Sequence, residues 1–95
     1  MQKYYCLPIK KYVCLVCRYI EGRFEVLFFG NTNGILLFTI TMPFSSGKKR
    51  CAYINVKDYE WLYNWLIEKR IAIPTKQTLN VDNFVYPEFK FNKEI

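Results

Sequence analysis

Apolar positions recur with a period of two along most of this chain, and near 3.6 in a single stretch. Residues 11–20, KYVCLVCRYI, and 24–29, FEVLFF, are rich in β-branched and aromatic side chains. The short link Glu21-Gly22-Arg23 between them predicts a β-hairpin. GNTNG at 30–34 is the strongest turn signal, because Asn33-Gly34 supplies positive φ angles cheaply. A third strand, 35–42, carries Leu36, Phe38, Ile40 and Met42 on one side, with Thr39 and Thr41 on the other. PFSSGKKR at 43–50 reads as a loop, and CAYINV at 51–56 as a fourth strand with Ala52, Ile54 and Val56 on one side.

Then the period changes. Asn55 and Asp58 have the spacing of a capping box, with Asp in place of the better Glu or Gln. VKDYEWLYNWLIEKR, 56–70, is expected to be helical, with Tyr59, Leu62, Tyr63 and Leu66 as its buried stripe and Trp65 at the edge. Lys69 and Arg70 oppose the negative end of its dipole. Beyond Pro74, TKQTLNVDN (75–83) reads as a polar loop. FVYPEFKF (84–91) reads as a strand that Pro87 confines to an edge or a bulge. The expected order is β-β-β-β-α-β: an α+β fold, four or five mainly antiparallel strands with one helix on one face.

Ninety-five residues make one domain, spanning 1–95. Hydrophobic residues are 52% of the chain and aromatics 19%, which excludes a disordered segment and fills a small core. No apolar run approaches the ~18 residues of a membrane span. Pro8 and Lys10-Lys11 interrupt any secretory leader, so reduced thiols in a cytoplasm are expected. The net charge is +6, which favours acidic partners.

The strand, Asn/Gly turn, TIT-MP, AYI, helix, IAIPT and YPEFKF, in that order, form a recognisable pattern. It is carried by Gly22, Asn33-Gly34, Thr39, Thr41, Pro43, Ala52, Ile54, Ala72, Pro74-Thr75, Tyr86-Pro87 and Phe91. Over residues 18–91 the chain resembles a family of small proteins of conjugative elements and phages of gut-type anaerobic bacteria. The pattern's Gly after Pro74-Thr75 is Lys76 here. The resemblance implies a mobile-element origin and a bacterial host cytoplasm.

Cys14 and Cys17 have the Cys-x-x-Cys spacing of metal and redox sites. On a strand, residues three apart point to opposite faces, so the pair would not clamp one ion. Leu15 and Val16 suit a strand, and the reading is cysteine as a small apolar residue with no metal and no cofactor. The chain has no His, which removes the commonest acid–base group and the partner of a nucleophilic Cys. Ser45 and Ser46 stand near Lys48 in a polar loop, and a phosphate loop would need Gly where Met42 stands. A non-enzymatic protein is expected.

Cations gather at Lys10-Lys11, Lys48-Lys49-Arg50 and Lys69-Arg70, with Lys90 and Lys93 further on. Tyr4, Tyr5, Tyr12, Phe44 and Tyr53 are interleaved with them. Two functions fit. One is a binding protein that occludes a nucleic-acid-handling host protein, a host-defence inhibitor of the kind that blocks CRISPR nucleases. Its partner would be an acidic protein surface or a nucleoprotein complex, met by the charge of Lys48, Lys49 and Arg50 and an apolar anchor in Trp61. The other is a module that binds single-stranded nucleic acid directly, stacking bases on exposed aromatics beside Lys and Arg.

Overall fold

The structure, a computed structural model, describes residues 2–95. It is α+β: a four-stranded antiparallel sheet, a three-stranded antiparallel sheet and one helix. The first sheet has the order β1 (Lys3–Cys6), β2 (Lys11–Ile20), β3 (Arg23–Gly30), β4 (Leu36–Thr39). The second contains β5 (Cys51–Tyr53), β6 (Ala72–Val81) and β7 (Phe84–Phe91), in the order β5-β7-β6. The helix α1 spans Leu62–Glu68.

Seven strands in two sheets replace the single sheet of four or five, and the two additions have clear causes. The segment before the first expected strand pairs with it as β1, Tyr5 opposite Tyr12, through a turn at Leu7–Ile9 that Lys10 closes with φ 54°. The polar stretch 75–83 is not a loop: most of it is β6, paired with β7 through a two-residue turn at Asp82-Asn83 (φ 50° and 64°). Both central residues at positive φ give the backbone twist that closes an antiparallel hairpin. β6 reads as polar because it ends its sheet and exposes Gln77, Thr78 and Asn80. Pro87 accordingly lies in the central strand and not at an edge. The irregularity it implies falls on the partner, where the register shifts between Pro74 and Thr78 and Lys76 adopts φ 76°.

The sheets are joined by residues 40–42. The Ile40 N–H bonds to Val26 O at 3.1 Å in the first sheet. Thr41 bridges to Ile54, and the Met42 N–H bonds to Tyr53 O at 2.8 Å in the second. Thr41 is therefore buried, and its hydroxyl accepts the Val26 N–H at 3.3 Å. The alternation expected over 35–42 holds at Ile40, but Leu36 is exposed.

The helix is shorter than its sequence pattern. Asn55 and Asp58 bond reciprocally, Asn55 Nδ2 to Asp58 Oδ2 at 3.0 Å and the Asp58 N–H to Asn55 Oδ1 at 3.2 Å. They close a turn, and residues 56–61 remain turns before α1 begins. The buried face is Leu62, Trp65 and Leu66; Tyr63 is exposed, its ring edge-on to Phe89. Trp65 thus replaces Tyr63 in the stripe. The helix ends with Arg70 N–H on Ile67 O and Ile71 N–H on Leu66 O, both 3.0 Å, with Arg70 at φ 57°. That is the six-to-one and five-to-two pairing of a left-handed C-terminal cap, a place glycine usually fills. Phe28, Phe89, Phe91, Ile40, Ile54, Leu62 and Leu66 form the centre of the core.

Candidate functional site

The three sequence clusters of cations meet different fates. Lys48 in the 43–50 loop places Nζ 3.2 Å from Oε1 of the fully buried Glu88. Arg50 folds over Phe24, its guanidinium 5.2 Å from the ring centroid. It donates to the carbonyls of Phe91, at 3.3 Å, and Asn92, while the Tyr19 hydroxyl accepts its backbone N–H at 2.9 Å. Lys48 and Arg50 are therefore intramolecular fasteners, while Lys49 and Phe44 are exposed members of this loop that make no such contact among the described residues.

Ser45 Oγ donates to Gly22 O and Ser46 Oγ to Cys51 O, each at 3.2 Å, so both hydroxyls brace the loop. Trp61 is partly buried among aromatic rings, with centroids 6.1–6.4 Å from those of Tyr59, Trp65, Phe28 and Phe38. Lys69 and Arg70 are exposed beyond α1.

Lys10 and Lys11 are instead brought to a cleft of about 420 Å³ with Tyr5, Tyr12, Asn31 and Asn33. Its construction follows from strand pairing. Tyr5 and Tyr12 are direct partners across β1 and β2, so their rings stand side by side on the outward face. The rings meet edge-on at 5.0 Å between centroids, and Tyr12 is 53% exposed. Lys3 sets its ammonium 5.7 Å from the Tyr12 centroid. The turn between β3 and β4 forms the far wall, held by the Asn31 N–H on Tyr12 O at 3.2 Å. Asn33 Oδ1 accepts the Ile35 N–H at 3.0 Å, which leaves the amide NH₂ of that side chain as a donor. No carboxylate lines the cleft. It offers π-faces, the ammonium groups of Lys10 and Lys11, with that of Lys3 near the Tyr12 ring, and side-chain amides.

Comparison with family models, with curated proteins and with solved structures finds no match to the chain.

Of the other aromatics named from sequence, Tyr4 turns inward, edge-on to Trp65 at 6.2 Å, and Tyr53 is buried. Lys3, Asn31 and Asn33 are the site residues that sequence reasoning missed. Lys3 lies two residues before Tyr5, on the same face once β1 is recognised as a strand.

The thiols take different surroundings. Cys17 packs against the core near Arg50, while Cys14 Sγ lies 3.6 Å from Asn31 Oδ1 at the cleft, so the Cys-x-x-Cys pair diverges as strand geometry requires. All four cysteines are free. Burial pushes the Cys6, Cys17 and Cys51 thiols up, with the Glu88 carboxylate adding to the effect at Cys51. Raised thiols are poor nucleophiles. No helix among the described residues is long and apolar enough to cross a membrane.

Proposed function

We propose that this chain is a non-enzymatic basic binding protein of a bacterial mobile element that holds single-stranded nucleic acid in the Tyr5–Tyr12 cleft. The observation that carries the reading is one arrangement: two exposed tyrosines in edge contact, with Lys3, Lys10 and Lys11 around them and no carboxylate. Unstacked bases lie on the tyrosine faces, lysines neutralise the flanking phosphates, and the Asn31 and Asn33 side chains reach base edges. Duplex is disfavoured, because its stacked bases present no free face to a tyrosine.

The test is a titration of labelled single-stranded RNA, single-stranded DNA and duplex DNA at about 50 and about 200 mM salt, where phosphate contacts weaken steeply. Single strands should bind more tightly than duplex, with Tyr12→Ala weakening binding at both salts. Equal affinity for duplex, or indifference to Tyr12→Ala, would sink the proposal.

The second reading, occlusion of a nucleic-acid-handling host protein, is favoured by Phe44 and Lys49, which are exposed in the 43–50 loop. Such a partner would be an acidic surface or a nucleoprotein complex. It would lose binding on Lys49→Glu and Phe44→Ala while the cleft variants left it intact.

A further inference from the structure

A second surface carries charge that the cleft does not use. Between the end of α1, the start of β6 and the end of β7 lies an apolar groove of about 460 Å³. Its walls are aliphatic: Ile67 stands on the exposed side of α1, and Ile73 of β6 is 63% exposed. Phe91, beneath them, is buried. Ile73 pairs directly with Lys90 across β6 and β7, which sets an aliphatic side chain and an ammonium next to each other on the same face. Arg70 and Lys93 also line the groove.

The ion pairs among the described residues are Arg18 and Arg23 with Glu25, and Lys48 with Glu88, so the three groove cations have no carboxylate partner. No acidic residue lines the groove. Glu94, next in sequence to Lys93, lines a different cavity, with Gln2 and Tyr4.

We propose that this groove docks an acidic segment of a partner protein, an extended peptide that seats one aliphatic or aromatic side chain between Ile67 and Ile73. Flanking Asp or Glu residues of the peptide would reach Arg70, Lys90 and Lys93. Charge complementarity identifies the occupant as anionic, and the size lies in the range of small binding pockets. The wall chemistry separates a peptide from a nucleic acid: the groove exposes aliphatic side chains and no aromatic face on which a base could stack. β6 ends its sheet, but Pro74 removes one donor from it and the register shift that follows distorts the rest. Recognition therefore rests on side chains in the groove and not on an added strand.

The experiment is selection from a displayed library of random twelve-residue peptides against the full chain, run in parallel on Ile73→Asp and on Lys90→Glu. Both substitutions are at exposed positions, and circular dichroism confirms that each variant is folded. The expected result is enrichment of peptides with one large apolar residue flanked by Asp or Glu. A synthetic peptide of that sequence should lose at least tenfold in affinity for either variant. The same variants should bind a single-stranded oligonucleotide as the unaltered chain does. Absence of enrichment, or enriched peptides that bind both variants equally, overturns the proposal. A loss of oligonucleotide binding in the groove variants assigns the groove to nucleic acid and overturns it too.

Discussion

Lys48 Nζ stands 3.2 Å from Oε1 of Glu88, joining the 43–50 loop to the middle of β7 across forty residues of sequence. Glu88 is fully buried, the Thr75 hydroxyl donates to the same oxygen, and Oε2 has no partner. Lys48, one of the three cations read from sequence as docking charge, is the counter-ion of an internal carboxylate. A buried charge deprived of its partner is costly, and the half-exposed lysine head reduces that cost through solvent screening. Lys48→Met should therefore destabilise the fold by about 1–3 kcal/mol, seen as a lower urea midpoint at unchanged slope. Glu88→Gln in the same background should recover part of the loss, because it removes the stranded charge. Strict additivity of the two would disprove the coupling.

Trp61 makes a second test of role. Its ring sits in a cluster in which Phe38 stacks on Tyr59 at 4.5 Å and Phe28 meets Trp65 at 5.3 Å. Removing a partly buried ring from such a cluster costs about 2–3 kcal/mol, below the range for a fully buried one. Trp61→Ala should lower the unfolding midpoint accordingly and leave oligonucleotide affinity of the folded protein unchanged. A loss of affinity without a loss of stability would make Trp61 a binding residue.

The α+β class was legible because period-two alternation and one helical stretch are strong signals. The hairpin at Glu21-Gly22 and the turn before β4 followed from their residues, and both glycines, Gly22 and Gly34, take positive φ. What escaped, besides β1, was β6. Its exposed side is polar because it ends a sheet, so composition suggested a loop, and the usable signal was Asp82-Asn83 between Val81 and Phe84. The helix was overextended because Asn55 and Asp58 form the pairing expected of a helix start, yet close only a turn. At the site, sequence named Lys10, Lys11, Tyr5 and Tyr12 without linking them. The link is the pairing of β1 with β2, a contact set by register.

Arg70 predicts a gain. It occupies a left-handed helix terminus at φ 57°, where a side chain is strained by about 1–2 kcal/mol relative to glycine. Arg70→Gly should stabilise the fold by about 0.5–1 kcal/mol despite the extra freedom it gives the unfolded chain. Thermal unfolding reads this directly. The same substitution removes one rim cation from the groove, so peptide affinity should fall as stability rises.

The thiols fix a direction for pH. Burial raises Cys6, Cys17 and Cys51, and likewise Tyr4 and Tyr59, where Glu94 and Asp58 respectively add to it. Once the pH passes about 8.5, the unfolded chain releases thiol protons that the native state retains, so it binds fewer protons and stability falls with pH. The contribution is complete below that value and disappears as the pH rises through the folded-state values. Urea midpoints should be flat from about pH 7 to 8 and decline above about 9. In parallel, iodoacetamide should label Cys14 first and leave Cys6 and Cys51, both buried, until the chain unfolds. Early labelling of Cys51 would contradict its placement beneath the 43–50 loop.

Charge and stacking in the cleft separate experimentally. Each phosphate contact to a single strand contributes about 0.7 to the slope of log affinity against log salt. Lys10→Ala with Lys11→Ala should therefore reduce that slope by about 1.4, and the affinity loss should shrink as salt rises. Tyr12→Ala removes an uncharged stacking face worth about 1–3 kcal/mol per base, so affinity should fall by about 5- to 150-fold at every salt with the slope unchanged. Tyr12→Phe keeps the face and should behave nearly as the unaltered chain. A Tyr12→Ala protein that loses only slope, or a double lysine variant that loses affinity uniformly, would mean that bases do not lie on the β1–β2 tyrosines.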